Sequence, residues 1–278
     1  MDRRDFRPRL HSRLERMILF KLTLTCRTGL HIGAGKSGDL VGSDLPVMRD
    51  ASGRPLIPGS SLRGVLRSGI ESLCLSLGLA GDAVGPEAGL ADPTESLVAS
   101  WRDLSLAERL FGAAADKPGG FSYASRLQIS DALTDGDVAV ELRDGVGIDR
   151  DNRIASTGVK YDLEVVPAGT CFAATVRFKN PADFEIGLLA QALWMLDTGL
   201  LLLGGKSARG LGWMAVEVTK PRILDAKDLL QRQPEAAADN VFGSVPDLLA
   251  PYLAALKDLA DFVNAPESQP DTQSVGQG

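Results

Sequence analysis

The sequence predicts an α+β fold: a ferredoxin-like βαββαβ unit carrying large insertions. Three observations predict it. Segments that alternate apolar and polar residues are interleaved with two segments of helical period, in the order strand, helix, strand, strand, helix, strand. The stretches between these elements are long and rich in turn residues. The chain of 278 residues, 44% hydrophobic and 24% charged, is long enough to bury a full core around such a sheet.

The first strand is "MILFKLTLTCRT", residues 17–28, where β-branched and apolar side chains alternate with polar ones. A glycine-rich loop follows, and then "DLPVMRDASGRPLIPGSS" reads as a hairpin turning at Ser52-Gly53 and ending at Pro58. The first helix begins at Ser60 or Ser61 as N-cap and carries Leu62, Val65, Leu66, Ile70, Leu73 and Leu77 on one face. Gly78 to Ser100, rich in Gly, Ala, Pro and Asp, reads as an insertion, and a short helix closes at "ERLFG". "FSYASRLQISDAL" and residues 137–148 read as strands, and the following segment reads as a long hairpin excursion that returns to a core strand. "PADFEIGLLAQALWMLDTGL" is apolar on most sides, as a buried helix is, and "LGWMAVEVTKP" is the strand after it. The expected organisation is a basic leader over 1–16, one domain over 17–222 with insertions at about 78–115 and about 144–170, a helical extension over 223–264, and a polar, disordered tail over 265–278.

Several function classes fall away on composition. Three cysteines without a C-x-x-C pair and two histidines, His11 and His31, do not make a zinc site, and they point to a reducing cytosol. The apolar part of "MILFKLTLTC" is short and broken by Lys21, so no signal peptide is expected there; Met17 is an alternative start. The stretch "GLLAQALWMLDTGLLLLGG" contains Asp197 and glycines and fits a buried helix better than a membrane span. The net charge of −6 is unevenly spread: residues 1–79 hold 13 Lys/Arg against 7 Asp/Glu, and the rest hold 17 against 29. A local basic surface of this kind attracts a phosphate backbone, although the arginine-rich leader supplies much of the excess.

Four groups of residues carry candidate chemistry. "LHIGAGKSGD" and its echo "LLGGKSARG" look like nucleotide-binding P-loops, but the glycine needed five positions before Gly-Lys-Ser is Leu30 in one and Leu200 in the other. In "IPGSSLRGVLRS", Ser60, Ser61, Arg63 and Arg67 stand at the start of a helix, where free amides, the helix dipole and guanidiniums favour phosphate; the same pattern serves an ordinary N-cap with solvated arginines. In "GGKSARGLGW", Gly204, Gly205, Gly210 and Gly212 let a backbone approach a polyanion while Lys206 and Arg209 add charge; a helix-to-strand turn with a glycine C-cap has the same composition. Asp39, Asp44 and Asp50 lie near the first loop, where a carboxylate can bind a divalent metal or assist a ribose 2′-hydroxyl, or simply shape a turn.

Taken together, "TGLHIGAGKSGDLVGSDLPVMRDASGRPLIPGSSLRGVLRSGIES", "RLFG", "GIDRDNRIA", "VPAGTCF" and "LLLGGKSARGLGWMAVEV" resemble the RAMP superfamily. Within it they resemble the repeated backbone subunits of type III CRISPR effector complexes, over roughly residues 18–219. The resemblance implies an RRM-like palm with a β-hairpin thumb, a cytoplasmic protein that touches no membrane, and binding to CRISPR RNA and complementary target RNA. It also implies neighbouring copies or paralogous backbone subunits and other type III effector subunits as partners. By the same resemblance Asp44 is the catalytic carboxylate of a metal-dependent endoribonuclease and a candidate ligand for a divalent metal, Mg2+ or Mn2+. His31, Ser60, Ser61, Arg63, Arg67, Gly204, Gly205, Lys206 and Arg209 are implied RNA contacts, and Arg150 and Arg153 in the thumb are weaker ones. Rival readings are a non-cleaving guide-binding subunit, a guide-processing endoribonuclease of the same superfamily, and a small-molecule phosphate-binding enzyme. The guide-processing reading has only His31 as a plausible acid or base.

Overall fold

A computed structural model describes residue 11 and residues 13–35, 43–77, 104–114, 122–148, 155–225, 227–228 and 242–263. The insertion at 78–100, Asp39, Arg150, Arg153 and the tail after 263 lie outside the described residues.

The architecture is mixed α/β, built on one antiparallel sheet. Its centre is β1 (Arg16–Cys26), flanked by β7 (Cys171–Lys179) on one side and β8 (Met214–Thr219) on the other. Beyond β7 stand the short strands β3 (Leu127–Ile129) and β4 (Ala132–Thr134), with β2 (Leu56–Ile57) at the edge. The four main strands thus stand as fourth, first, third and second in chain order, every neighbour antiparallel, which is two interleaved βαβ units. β9 (Arg222–Asp225) takes over from β8 along the first half of β1, and β10 (Phe242–Ser244) extends the β8 edge.

Period-two alternation decides which face is buried. Ile18, Phe20, Leu22 and Leu24 of β1, Phe172, Val176 and Phe178 of β7, and Met214, Val216 and Val218 of β8 all point into one core. Against them pack α1 (Gly59–Ser76) and α3 (Asp183–Asp197), with α4 (Val245–Val263) lying over α3. α3 is apolar nearly all round because sheet and helices surround it. Gly187 lets α4 come close: a Cβ there would stand 2.2 Å from the Tyr252 carbonyl oxygen. Among the described residues no helix is long and apolar enough to cross a membrane.

Two details differ from the sequence reading. The expected serine N-cap of α1 is absent: Pro58 occupies the cap position, and the Gly59 amide donates to Asp131 Oδ1 at 2.7 Å. The single strand expected over "FSYASRLQISDAL" is divided into β3 and β4 at Ser130-Asp131: both run antiparallel along β7, but the register shifts by one residue there, where Asp131 reaches across to the helix.

A separate two-stranded hairpin, β5 (Glu141–Ile148) and β6 (Ala155–Val165), rises from the sheet between β4 and β7. The short α2 (Leu106–Phe111) starts at a capping box between Ser105 and Glu108.

Candidate nucleic-acid interface

The base of the β5–β6 hairpin gathers three pieces of chain that are distant in sequence. The segment 43–49 runs along β6 as a short extra strand: Leu45 N–H donates to the Asp162 carbonyl at 3.1 Å, and Glu164 N–H donates to the Leu45 carbonyl at 3.1 Å. Ser43 Oγ donates to the same Asp162 carbonyl, and Asp162 N–H donates to Asp44 Oδ2 at 3.0 Å. Asp44 is exposed, so one backbone amide fixes its carboxylate at the hairpin edge while the group stays open to solvent. Asp50, by contrast, is a turn residue. Its carboxylate accepts the Arg54 and Ser52 amides and the Arg54 guanidinium, and these, the Arg54 amide first, hold it below the usual aspartate range.

His31 lies on the inner side of this layer. It is buried, its Nδ1–H donates to the Glu164 carbonyl at 2.8 Å, and its own carbonyl accepts the Gly205 amide at 2.8 Å. His31 therefore joins β6 to the glycine-rich loop. That loop needs its glycines sterically: Gly204 has φ +84°, and a Cβ there would sit 2.4 Å from the His31 carbonyl oxygen. Lys206, at φ 62°, takes the left-handed conformation that starts a 3-10 turn over Ser207–Arg209, so the loop presents both cations on the hairpin side.

Tyr161 meets them there. Arg209 donates to the Tyr161 hydroxyl, its guanidinium carbon stands 5.9 Å from the ring centre, and Lys206 Nζ stands 5.5 Å from it. The Arg209 hydrogen bond lowers the phenol pKa. On the adjoining positions of the hairpin, Lys160 pairs with Asp144 at 3.0 Å, which raises the ammonium pKa and lowers that of the carboxylate.

Ser60, Ser61, Arg63 and Arg67 belong to another place. Ser60 is exposed at the start of α1, and Asp131 already takes the Gly59 amide. Arg63 donates to the Phe111 carbonyl at 2.8 Å and Arg67 to the Gly112 carbonyl at 3.1 Å, so both guanidiniums cap the C-terminus of α2. Arg67 also pairs with Glu71. The arrangement therefore brings Asp44, His31, Gly204, Gly205, Lys206 and Arg209 together around β6, and it engages the α1 arginines with protein carbonyls.

Sequence reasoning missed Tyr161, Asp131 and a buried pair, Arg126–Glu185. An aromatic on a hairpin strand has no sequence signature of its own; only the register, which sets Gly145 opposite Tyr161, shows that the ring lies across a bare backbone.

Comparison with known proteins adds an independent line. The RAMP superfamily model matches residues 23–215. The protein named CRISPR system Cms endoribonuclease Csm3 of Methanothermobacter thermautotrophicus is 26% identical over 213 residues, 68% of this chain and 79% of the relative. The Enterococcus italicus protein of the same name is 40% identical over 108 residues, 38% of this chain and 41% of the relative. Among solved structures, a chain of the type III-B Cmr-beta complex in its apo state covers 71% of this chain and 96% of its own length, at a TM-score of 0.48 and 15% identity.

Proposed function

The chain belongs to the RAMP superfamily, and from that premise we propose that it is a guide-binding backbone subunit of a type III CRISPR complex that also cleaves complementary target RNA. Its relatives carry the name Csm3 endoribonuclease. The observation that carries the reading is the hairpin base, where an exposed carboxylate, Asp44, and two loop cations, Lys206 and Arg209, are held by successive residues of one strand, Asp162 and Tyr161. Glycine backbone and cations suit a phosphate chain, and a nearby exposed carboxylate suits proton transfer.

In the proposed reaction a target nucleotide displaced from the A-form duplex lines its 2′-hydroxyl up with the adjacent phosphorus. Asp44 accepts the hydroxyl proton as the O2′–P bond forms and the P–O5′ bond breaks. The leaving O5′ takes a proton from water, giving a 2′,3′-cyclic phosphate and a 5′-hydroxyl. Among the described residues no cluster of three or more His, Cys, Asp or Glu side chains could hold a metal by itself. The open carboxylate of Asp44 fits a divalent ion such as Mg2+ or Mn2+ and would be its protein ligand. Such an ion would supply charge neutralisation at the phosphate.

The test is Asp44→Ala in the assembled complex. Cleavage of target RNA falls by at least about 100-fold, the low end of what general-base removal costs, while guide RNA still copurifies. Unchanged cleavage would refute the role of Asp44, and loss of copurifying guide would refute the separation of binding from cleavage.

A further inference from the structure

The segment that bears Asp44 is held along both edges. On one, Ala34 N–H donates to the Pro46 carbonyl at 3.0 Å and Met48 N–H to the Ile32 carbonyl at 2.7 Å. On the other it runs parallel to β6, with Leu45 opposite Leu163. A parallel ladder continued regularly past the Leu45–Asp162 bond would carry the Val47 amide to the Glu164 carbonyl. That carbonyl is already taken, because His31 Nδ1–H donates to it at 2.8 Å. The Glu164 side chain replaces it: Oε2 accepts the Val47 amide at 3.0 Å and the Arg49 guanidinium at 3.1 Å. Val47 is 3% exposed and the Glu164 side chain 18%, so water is poorly placed to take over the amide.

We infer that Glu164 is a positioning residue for Asp44: its carboxylate fixes the segment on β6 and thereby sets where the Asp44 carboxylate stands. The inference rests on the role proposed for Asp44 above. Among the described residues that carboxylate has one protein donor, the Asp162 amide, which does not by itself resist a shift of the backbone carrying it. A Val47 amide that has lost its acceptor draws the segment toward another, and Asp44 moves with it. A misplacement of about 1 Å is enough to cost on the order of 100-fold in rate. What the Val47 amide needs is an acceptor rather than a charge. Arg49 can do without the charge too, since its side chain is 33% exposed and also donates to the Gly53 carbonyl at 3.0 Å.

In the assembled complex with complementary target RNA, Glu164→Ala is expected to slow single-turnover cleavage by about 10- to 100-fold, while guide still copurifies and target affinity holds. Glu164→Gln, whose amide oxygen can accept the Val47 N–H, is expected to restore most of the rate. Glu164→Asp keeps the charge but draws it back from Val47, and is expected to be slower than Glu164→Gln. The reverse order assigns the effect to charge and overturns the inference; this pair decides the matter should the alanine variant fail to assemble. Added to Asp44→Ala, Glu164→Ala is expected to slow cleavage no further, because the two act through one carboxylate. A further loss in that double variant overturns the inference, as does a parental rate in Glu164→Ala alone. Unchanged cleavage in Asp44→Ala refutes instead the proposed role of Asp44.

Discussion

Removing Glu185 is the most informative perturbation of the fold. Its carboxylate accepts two bonds from Arg126, one at 3.0 Å from Nη1 and one from Nη2, and a third from the Ala182 amide at 2.7 Å at the start of α3. The side chains of Arg126 and Glu185 are 1% and 2% exposed, so water cannot replace either partner. Arg126 spends its other donors on the carbonyls of Arg109 and Asn180. Arg109 is buried in the same cluster: desolvation pushes its pKa down to about 10, Glu185 raises it, and Arg126 lowers it further. Glu185 thus acts on two buried guanidiniums, and Glu108 adds a further negative charge beside Arg109. Glu185→Ala leaves the Arg126 guanidinium without its carboxylate, and breaking a buried pair costs about 3–5 kcal/mol. At about 2–4 °C per kcal/mol for chains near this size, the melting temperature falls by roughly 6–20 °C. Replacing both members of the pair, Arg126→Met with Glu185→Leu, recovers most of the loss, because Arg109 then loses the Glu185 attraction and the Arg126 repulsion together. Urea denaturation with the slope monitored measures each step. A loss under about 1 kcal/mol in Glu185→Ala, or a double variant as unstable as the single one, would refute the role of the pair.

Two further predictions separate binding from folding. Lys206→Ala makes the log–log dependence of single-stranded RNA affinity on salt shallower by about 0.7, the contribution of one phosphate contact; Arg67→Ala leaves that slope alone and lowers stability by about 0.5–1.5 kcal/mol through its lost bond to the Gly112 carbonyl. An unchanged slope in the first, measured by titration at several salt concentrations, would remove Lys206 from the interface. Burial raises the Cys26 thiol to about 12 and the Cys74 thiol to about 11, whereas Cys171 is exposed. Iodoacetamide therefore labels Cys171 in the native protein and the other two only after unfolding, as peptide mapping would show. The same burial gives a sign for alkaline pH: the folded state keeps thiol protons that the unfolded chain loses above about 9, so stability falls as pH rises from there. Each buried thiol contributes at most about 1.4 kcal/mol per pH unit. Cys26→Ala makes that decline shallower in denaturant titrations between about pH 9 and 10.

The elements legible in the sequence are those whose signal is local. The alternation in "MILFKLTLTCRT" and the apolar helix "PADFEIGLLAQALWMLDTGL" identify β1 and α3 within three residues at each end, because their burial follows their own periodicity. The helix cap was not legible: Ser60 has the right chemistry and sits at the right place, yet Asp131, 72 positions away, reaches the Gly59 amide. Arg63 and Arg67 show the same limit. Helical spacing put them on one face, but only tertiary packing shows that this face meets the last carbonyls of α2. Asp44 and the glycine-rich loop were recognisable one by one from their motifs, while their juxtaposition depends on a hairpin strand whose own sequence carries no such signal.

That strand explains why two near misses to a nucleotide-binding loop occur in one chain. Along β6, Asp162 and Glu164 use their backbone groups to hold the segment that bears Asp44, and the Glu164 carboxylate accepts the Val47 amide and the Arg49 guanidinium at 3.0 and 3.1 Å. Tyr161, at the position before Asp162, engages Lys206 and Arg209 through its side chain. The first glycine-rich stretch supplies His31, which donates to the Glu164 carbonyl; the second supplies Gly205, which donates to the His31 carbonyl. The second loop needs its glycine where it passes the first, since a Cβ at Gly204 would collide with the His31 backbone. Neither loop needs the Walker glycine at Leu30 or Leu200, since neither has to curl around a triphosphate. Leu30 instead is buried and exchanges backbone hydrogen bonds with Val166 at the end of β6. The residue whose identity excludes a nucleotide-binding loop is thus one that fastens the hairpin to the sheet.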